Sequence, residues 1–561
     1  MNVGSGSEPW RTHYAHPCAW DQQFAPLTMV ELLEASVAAH PNRALSDFYG
    51  RTTSYGETLA EARRFAAWLQ GHGFAKGDRV GLFLPNVPVY LSTYFGALIA
   101  GATVVNFSPL YTAAELQAQV ADSGTRLLVT IDSAALLPTA LEVMRQSPLD
   151  RLVVASLAEM LPWLEGIGMR LFRRGELSPI PKAPDVVPWR SARSDKPLRP
   201  VSIDPLHDLA MIQYTGGTTG TPKGAMLSHQ NLSANARQIE AVDPHKNERD
   251  VIVGVLPFFH VFANACVLNR TVFNGGTIAM LPRFNAGQCL KTVGRTQATS
   301  MPGVPTMYQA LLDHPDVAST DFSSMQVCIS GGAPLPLPVK RQFEGLTGSK
   351  LVEGYGLTET SGVVSSNPFA GDDRPGSIGH PFPGTHLRLL DKDDPTRDPP
   401  PGEPGELAIM GPQVMQGYWN LPAADAEVFV RRGGERWLRT GDVATIDADG
   451  YVRIVDRIKD MIAVGGFKVF PSRVEGVLLT NPAVREALVI GVPDPYRGES
   501  PRAFVTLQPG AADDGVALAA WLNGRIGKHE KVDQVVVRES LPKTMVGKLD
   551  RKALRAEVAA G

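Results

Sequence analysis

The sequence predicts an α/β protein: a large N-terminal domain of parallel, helix-covered sheets, a small β-barrel-like subdomain, and a small C-terminal α/β domain. Three observations carry this. The first third alternates helix-like and strand-like segments in a βαβ rhythm. A stretch rich in Gly and Pro, about 371–455, holds only short β-like runs. Roughly the last hundred residues then return to mixed α/β patterning. At 561 residues and roughly 150 per domain, three or four structural units are expected, more than one core can hold.

The elements follow in order. TLAEARRFAAWLQGHG places Leu59, Phe65, Ala66 and Leu69 on one helical face. RVGLFL, VPVYLSTYFGALIAG, ATVVNF, TAAELQAQVADSG and RLLVTI then read as strand, helix, strand, helix, strand. No charge occurs from Val80 to Ala114, but Pro85, Asn86, Pro88, Asn106 and Pro109 interrupt the run. Buried parallel strands read as continuous apolar runs, so strand–helix–strand describes this stretch better than a membrane span. VIVGVLPFFHVFANACVLN, with Pro257, His260 and two asparagines, reads the same way. A second βαβ block is expected from about Leu209 to Ser366. After YVRIVD come the helix-like SRVEGVLLT, the strands EALVIGV and RAFVTLQ, the helix ALAAWLNGRIG and the strand QVVVRE. The expected domains are therefore 1–456, including the β-rich 371–455, and 457–561, joined through the charged DRIKD at 456–460.

Composition excludes several roles. Apolar residues make up 43% and charged residues 20%, as in ordinary globular chains. Net charge is −3 and pI near 6.5, so no basic excess points to nucleic acid. Four cysteines without a CxxC pair make neither a disulfide framework nor a structural zinc site, which suits a reduced, cytoplasmic protein. The N-terminal MNVGSGSEPWRTHYAHP lacks the basic and apolar regions of a secretory signal.

The strongest chemical signal is YTGGTTGTPKG, Tyr214–Gly224, directly after the apolar AMIQ. Thr215, Gly216, Gly217, Thr218, Thr219, Gly220 and Thr221 supply hydroxyls and unobstructed backbone N–H groups that can wrap phosphates, and Lys223 adds a point charge. The Walker pattern fails, because Gly224 rather than Ser or Thr follows the lysine. A plain surface turn is the bland alternative. EGYGLTET at 353–360 sets Tyr355 between Gly354 and Gly356, so a flat ring can meet a flat ligand; Thr358 offers a hydroxyl and Glu359 a hard oxygen suited to magnesium.

YTGGTTGTPKG resembles the phosphate loop of the adenylate-forming superfamily: acyl-CoA synthetases, luciferases and peptide-synthetase adenylation domains. EGYGLTET, TGD at 440–442, VDRIKDMIAVGGFKVFP at 455–471 and PKTMVGKLDR at 542–551 follow in the family's order, so the resemblance spans nearly the whole chain. It implies that Tyr355 meets adenine, that Asp442 and Arg457 contact ribose, and that Lys459 marks the hinge of a mobile C-terminal domain. That domain would present Lys548 for adenylation and the turn of Gly465, Gly466 and Lys468 for thioester formation. Gly331, Gly332 and Ala333 in SGGAPLP would line the adenine and acyl pockets. His260 in LPFFHVF reads equally as a packing residue and as a group beside the acyl carboxylate.

The implied reaction has two steps. ATP and a carboxylate give acyl-AMP and pyrophosphate; coenzyme A then displaces AMP. It needs ATP, Mg2+ and CoA but no protein nucleophile. LPFFHVF and the insert SLAEMLPWLEGIGMRLFRRGEL look most like bacterial long- and medium-chain fatty-acid–CoA ligases. Dicarboxylate and aryl-acid ligases remain open, as do a monomer and a homodimer. A purely adenylating enzyme is disfavoured by GGFKVF. A fatty-acid transport protein would need Val80–Ala114 as a span. Within the insert, Trp163, Leu164, Ile167 and Leu171 share one helical arc, which reads either as a membrane-facing stripe or as a helix packed on the large domain.

Overall fold

The uncharged run from Val80 to Ala114 forms the middle of a sheet. Arg79–Leu82 and Thr103–Asn106 pair in parallel, and the helix Pro88–Ile99 crosses between them with nearly every side chain buried. The computed structural model describes residues 8–215, 222–246, 249–465, 467–544 and 547–560. Among them, no helix is long and apolar enough to cross a membrane.

Two sheets build the large domain. In spatial order the first contains Gly417–Tyr418, Gly224–Ser228, Leu209–Tyr214, Thr103–Asn106, Arg79–Leu82, Thr125–Ile131, Arg151–Ala155 and Val186–Pro188. Its inner pairs are parallel, and the first two strands are antiparallel additions. The second sheet centres on the parallel strands Lys350–Tyr355, Val327–Gly331, Ser300–Gly303, Val251–Gly254, Thr277–Met280 and Ala44–Phe48. The expected second block at 209–366 is thus divided. Leu209–Tyr214 extends the first sheet, while the hairpin of Ala44–Phe48 and Arg51–Ser54 crosses over to close the second. Hydrophobic periodicity finds strands but says nothing about which sheet takes them.

The Gly/Pro-rich stretch folds as an antiparallel sheet of His386–Leu390, Gly405–Met410, Glu435–Ile446, Phe429–Arg432 and Val452–Arg457. The chain then enters a separate sheet of Phe467–Val469, Ile462–Val464, Gly498–Leu507, Val484–Asp494 and Val535–Val537, with its own apolar core around Val474, Leu478, Val489 and Leu522. The change of sheet falls between Arg457 and Ile462, at DRIKD.

One ionic cluster pins the helix His229–Ala241, which follows the Gly/Thr loop, to the second sheet. Arg270 is buried and pairs with Glu240 at 3.0 Å, Asp250 at 3.4 Å and Asp243. Burial pushes the Glu240 carboxyl above its ordinary range. Removing the cation strands three carboxylates in a dry site, so Arg270→Ala should cost about 3–5 kcal/mol of unfolding free energy. The orphaned carboxylates would bind protons more readily folded than unfolded, so the deficit should shrink as pH falls and grow as it rises. Urea unfolding of both proteins at several pH values checks this; a deficit independent of pH would contradict it.

Candidate active site

The Gly/Thr segment joins two strands of the first sheet. Leu209–Tyr214 ends in it and Gly224–Ser228 leaves it, with Tyr214 opposite Gly224. The Thr215 N–H donates to the Lys223 carbonyl at 2.9 Å and closes the base of the loop. Gly216, Gly217, Thr218, Thr219, Gly220 and Thr221 lie outside the described residues. The Lys223 ammonium stands 5.1 Å from the centre of the Tyr418 ring, within cation–π range.

Tyr418 has no counterpart in the sequence reading. Its strand, Gly417–Tyr418, pairs with Gly224–Ser228, and its hydroxyl donates to Glu359 Oε1 at 2.7 Å. It thereby bridges the phosphate-loop lysine and the acidic residue of EGYGLTET. The available signal was an aromatic beside a glycine in GYW, too common a pattern to read alone.

EGYGLTET runs from the end of the strand Lys350–Tyr355 into the short turn Thr358–Thr360. A Cβ on Gly356 would lie 1.8 Å from the Gly362 carbonyl oxygen, so only glycine permits this turn. The same turn sets Glu359 against Tyr418, on the Lys223 side, with Thr358 at its start, while Gly354 lies in the strand. The Tyr355 hydroxyl donates to Asp442 Oδ2 at 2.5 Å. Asp442 is buried, and Arg457 Nε donates to its other oxygen at 3.0 Å; the two residues face each other across Glu435–Ile446 and Val452–Arg457. Burial and the Asp442 charge raise the Tyr355 hydroxyl far above its usual pKa. Asp442, expected only by resemblance, is therefore tied to both Tyr355 and Arg457.

Lys548 reaches this cluster from the C-terminal domain. Gly547 accepts a hydrogen bond from Thr306 Oγ1 at 3.0 Å, a large-domain anchor absent from the sequence reading. The ammonium end borders a small cavity with Leu256, Pro257, His260, Phe262, Ala263 and Val304. Burial first, and the nearby Arg457 charge second, lower its pKa to about 8. Gly332 has φ +82°, and a Cβ there would sit 2.1 Å from Lys548 Cε. Gly331 is constrained less severely: its Cβ would meet the Phe262 ring at 3.0 Å. Ala333 follows in the same turn, half-buried.

His260 caps the turn Val261–Ala263, with Nδ1 accepting the Phe262 N–H at 3.3 Å. That bond leaves the proton on Nε2. Burial and the Lys548 charge push the imidazole down to about 3, so it is neutral at pH 7.

The other predicted thiol-side groups stand elsewhere. Lys468 pairs with Asp393 at 3.6 Å, Gly465 adopts φ +56° with open space at its Cβ position, and Gly466 lies outside the described residues. Lys459 occupies the turn Ile458–Asp460. Asp460 in that turn is held by Arg551 at 3.1 Å and Arg555 at 3.2 Å, from the final helix. A further pair, Arg485–Asp313 at 2.5 Å, joins the small domain to the large one. Gly332, His260, Lys548, Arg457, Asp442 and Tyr355 thus form one connected cluster; Gly465 and Lys468 are not part of it.

Among the described residues, no group of three or more His, Cys, Asp or Glu could hold a metal. A lone carboxylate such as Glu359 fits magnesium, which usually takes few protein ligands and completes its shell with phosphates and water.

Comparison with known proteins agrees with this geometry. Residues 33–419 match the AMP-binding enzyme family, and residues 473–548 match the AMP-binding enzyme C-terminal domain. The long-chain-fatty-acid–CoA ligase of Bacillus subtilis (strain 168) is 38% identical over 98% of both chains. A feruloyl-CoA synthase of Amycolatopsis sp is 36% identical over 90% of this chain and 94% of its own. Among solved structures, ATP-bound MatB from Rhodopseudomonas palustris superposes with a TM-score of 0.79 at 29% identity, covering 95% of this chain and 99% of that one. With two family domains in order and whole-length relatives, the chain belongs to the AMP-binding enzyme family and is an AMP-forming acid–thiol ligase that uses ATP, Mg2+ and CoA.

Proposed function

We propose that the acid is a long- or medium-chain fatty acid, activated as acyl-AMP and then transferred to CoA. The observation that carries this reading is the apolar wall of the cavity at Lys548, made by Leu256, Pro257, Phe262, Ala263 and Val304 beside a single histidine. Such a small apolar lining suits the carboxyl end of an acid and its first carbons, and the acyl chain length is carried by the relatives. The fatty-acid relative of nearly equal length supports it. An aryl acid is the second reading, favoured by the feruloyl-CoA synthase at 36% identity; a dicarboxylate has no cation in the apolar wall to receive its far end. In this reading the enzyme works in the cytoplasm and touches the inner membrane face only peripherally.

The residues divide the work. Thr215–Thr221 and Lys223 cradle the phosphates, Thr358 adds a hydroxyl, and Tyr355 with Gly331, Gly332, Ala333, Gly354 and Gly356 forms a slot for adenine. Asp442 and Arg457 take the ribose. Neutral His260 donates a hydrogen bond from its Nε2–H to the acyl carboxylate and orients it. Magnesium held by Glu359 would neutralise phosphate charge. Lys548 puts a cation where carboxylate attacks the α-phosphate, two anions otherwise repelling. The turn of Gly465, Gly466 and Lys468 serves CoA after the small domain rotates about 456–460, with Lys459 at the pivot.

A carboxylate panel with ATP and CoA, read by mass spectrometry of the thioester, tests the substrate. Preference for aryl over fatty acids would overturn the first reading.

Four variants test the roles. Lys548→Ala should slow acyl-AMP formation by about 10²–10³ while sparing thioester formation from supplied acyl-AMP. Because the free-enzyme lysine titrates near 8 and only its charged form serves, kcat/KM for adenylation should fall as pH rises through about 8. Lys548→Arg should remove that alkaline limb while keeping part of the rate; an unchanged limb would assign it to another group. Gly332→Ala, which would push its Cβ into Lys548 Cε, should likewise damage adenylation selectively. Gly466→Leu should do the reverse, blocking the thiol's approach yet leaving pyrophosphate exchange intact. Parallel measurement of the two half-reactions separates these outcomes; equal loss of both in any folded variant would refute its assigned role.

A further inference from the structure

The insert after Ala155 folds as a short turn, Leu157–Met160, and a ten-residue helix, Trp163–Phe172. The helix faces the protein through Gly166 and Met169. A Cβ on Gly166 would lie 2.3 Å from the Ala158 carbonyl oxygen, so the helix rests on the preceding turn as closely as a backbone allows. Its orientation is therefore fixed, and it turns its apolar side outward. Trp163 is 73% exposed, Leu164 64%, Ile167 46%, Leu171 53% and Phe172 87%. The helix does pack on the large domain, through Gly166 and Met169, and the stripe itself stays exposed. Single exposed apolar side chains are ordinary; four within one arc of about 100°, with Phe172 exposed at the end of the same helix, are not.

The surroundings are basic. Arg170 and Arg190 share Glu159, Arg173 pairs with Glu176, and Arg174 donates to the Arg170 carbonyl at 2.9 Å. Arg51, from the edge strand of the second sheet, donates to the Glu159 and Leu161 carbonyls and braces the turn. Five arginines thus stand against Glu159, Glu165 and Glu176. The ion pairs lie on the surface, where each contributes little and yields readily to a competing anion.

The geometry points to a bilayer-docking surface: the arc of Trp163, Leu164, Ile167 and Leu171, with Phe172 at the helix end, inserts among the acyl chains of an anionic membrane while the arginines meet its headgroups. An exposed apolar stripe with an aromatic at each end and a cationic rim matches the chemistry of a lipid interface. This names the site and the lipid charge behind the peripheral contact proposed above. It rests on the fatty-acid reading only for the enzymatic arm of its test.

The full chain and the double variant Trp163→Asp/Leu164→Asp are sedimented with vesicles of phosphatidylcholine plus phosphatidylglycerol, and with vesicles of phosphatidylcholine alone. Phe172→Asp provides a second, independent variant. Because these side chains are exposed, both variants should keep the wild-type circular dichroism and the wild-type rate with a short, water-soluble acid. The expected result is preferential binding of the wild type to the anionic vesicles, weakened about tenfold or more in each variant. Tryptophan quenching by brominated acyl chains should be present in the wild type and lost in the double variant. With a long-chain acid presented in vesicles, KM should rise in the variants and kcat should hold. Equal vesicle binding by all three proteins overturns the inference, as does absence of binding by the wild type. A wild-type dimer that the variants dissociate, with no vesicle binding, would assign the face to a second copy instead. If the binding results hold but no fatty acid is activated, the substrate reading fails and the docking surface stands. If fatty acids are activated without vesicle binding, the reverse is true.

Discussion

The Lys548 ammonium has been taken out of water and set near a second cation, Arg457, with the carboxylate of Asp442 as the nearby counter-charge. That placement is costly for the empty protein, and the depressed pKa expresses the cost. It becomes favourable when anions enter, because phosphate and carboxylate supply the charge that the pocket lacks. The rest of the site is arranged around this position. Gly332 gives up its side chain for the lysine stem, Thr306 fixes the backbone one residue earlier, and the apolar wall keeps water from screening the charge. The adenylate-forming reaction asks for no protein nucleophile: the bond-making atoms belong to the substrates, and the protein supplies position and field.

His260 illustrates how burial selects a role. An imidazole held near pKa 3 cannot give up a proton and regain it at neutral pH. With Nδ1 committed to the Phe262 amide, its remaining N–H is a fixed, uncharged donor. A second positive charge beside Lys548 would repel it, so neutrality is the state that suits two groups sharing one small cavity. Packing histidine and carboxylate-orienting histidine, which the sequence left as alternatives, are compatible descriptions of the same buried ring.

Much of the fold was legible because its strongest signals are local. The continuous apolar strands around Val80–Ala114, the Gly/Pro-rich antiparallel stretch and the mixed C-terminal segment each announce themselves within a window of a few residues. What the sequence left out depends on contacts between distant segments. The exchange of Ala44–Phe48 into the second sheet needs Thr277–Met280 as its partner. Tyr418 acquires meaning only when its strand lies against Gly224–Ser228 and its hydroxyl meets Glu359. Asp442 alone reads as a turn residue; Tyr355, from nearly ninety positions earlier, and Arg457 give it company that no spacing rule contains. The insert shows the opposite limit. Its periodicity was visible, but which side of a ten-residue helix faces solvent was decided by Gly166 fitting against the Ala158 carbonyl.

The clamp on Asp460 has a kinematic consequence. Arg551 and Arg555 bind this residue from the helix that follows Lys548, and Arg551 also binds Glu475 at 2.6 Å at the start of the small domain. The turn after Arg457 and the segment carrying the lysine are therefore parts of one rigid body. A rotation proposed at that turn would therefore carry Lys548 with it, as a lever carries the motion of its fulcrum to its tip. If the small domain rotates as proposed, the lysine leaves the pocket with it, and the pocket's electrostatic character is reset by geometry rather than by proton transfer. On the proposed rotation, those few ion pairs would keep the two chemical steps apart in time.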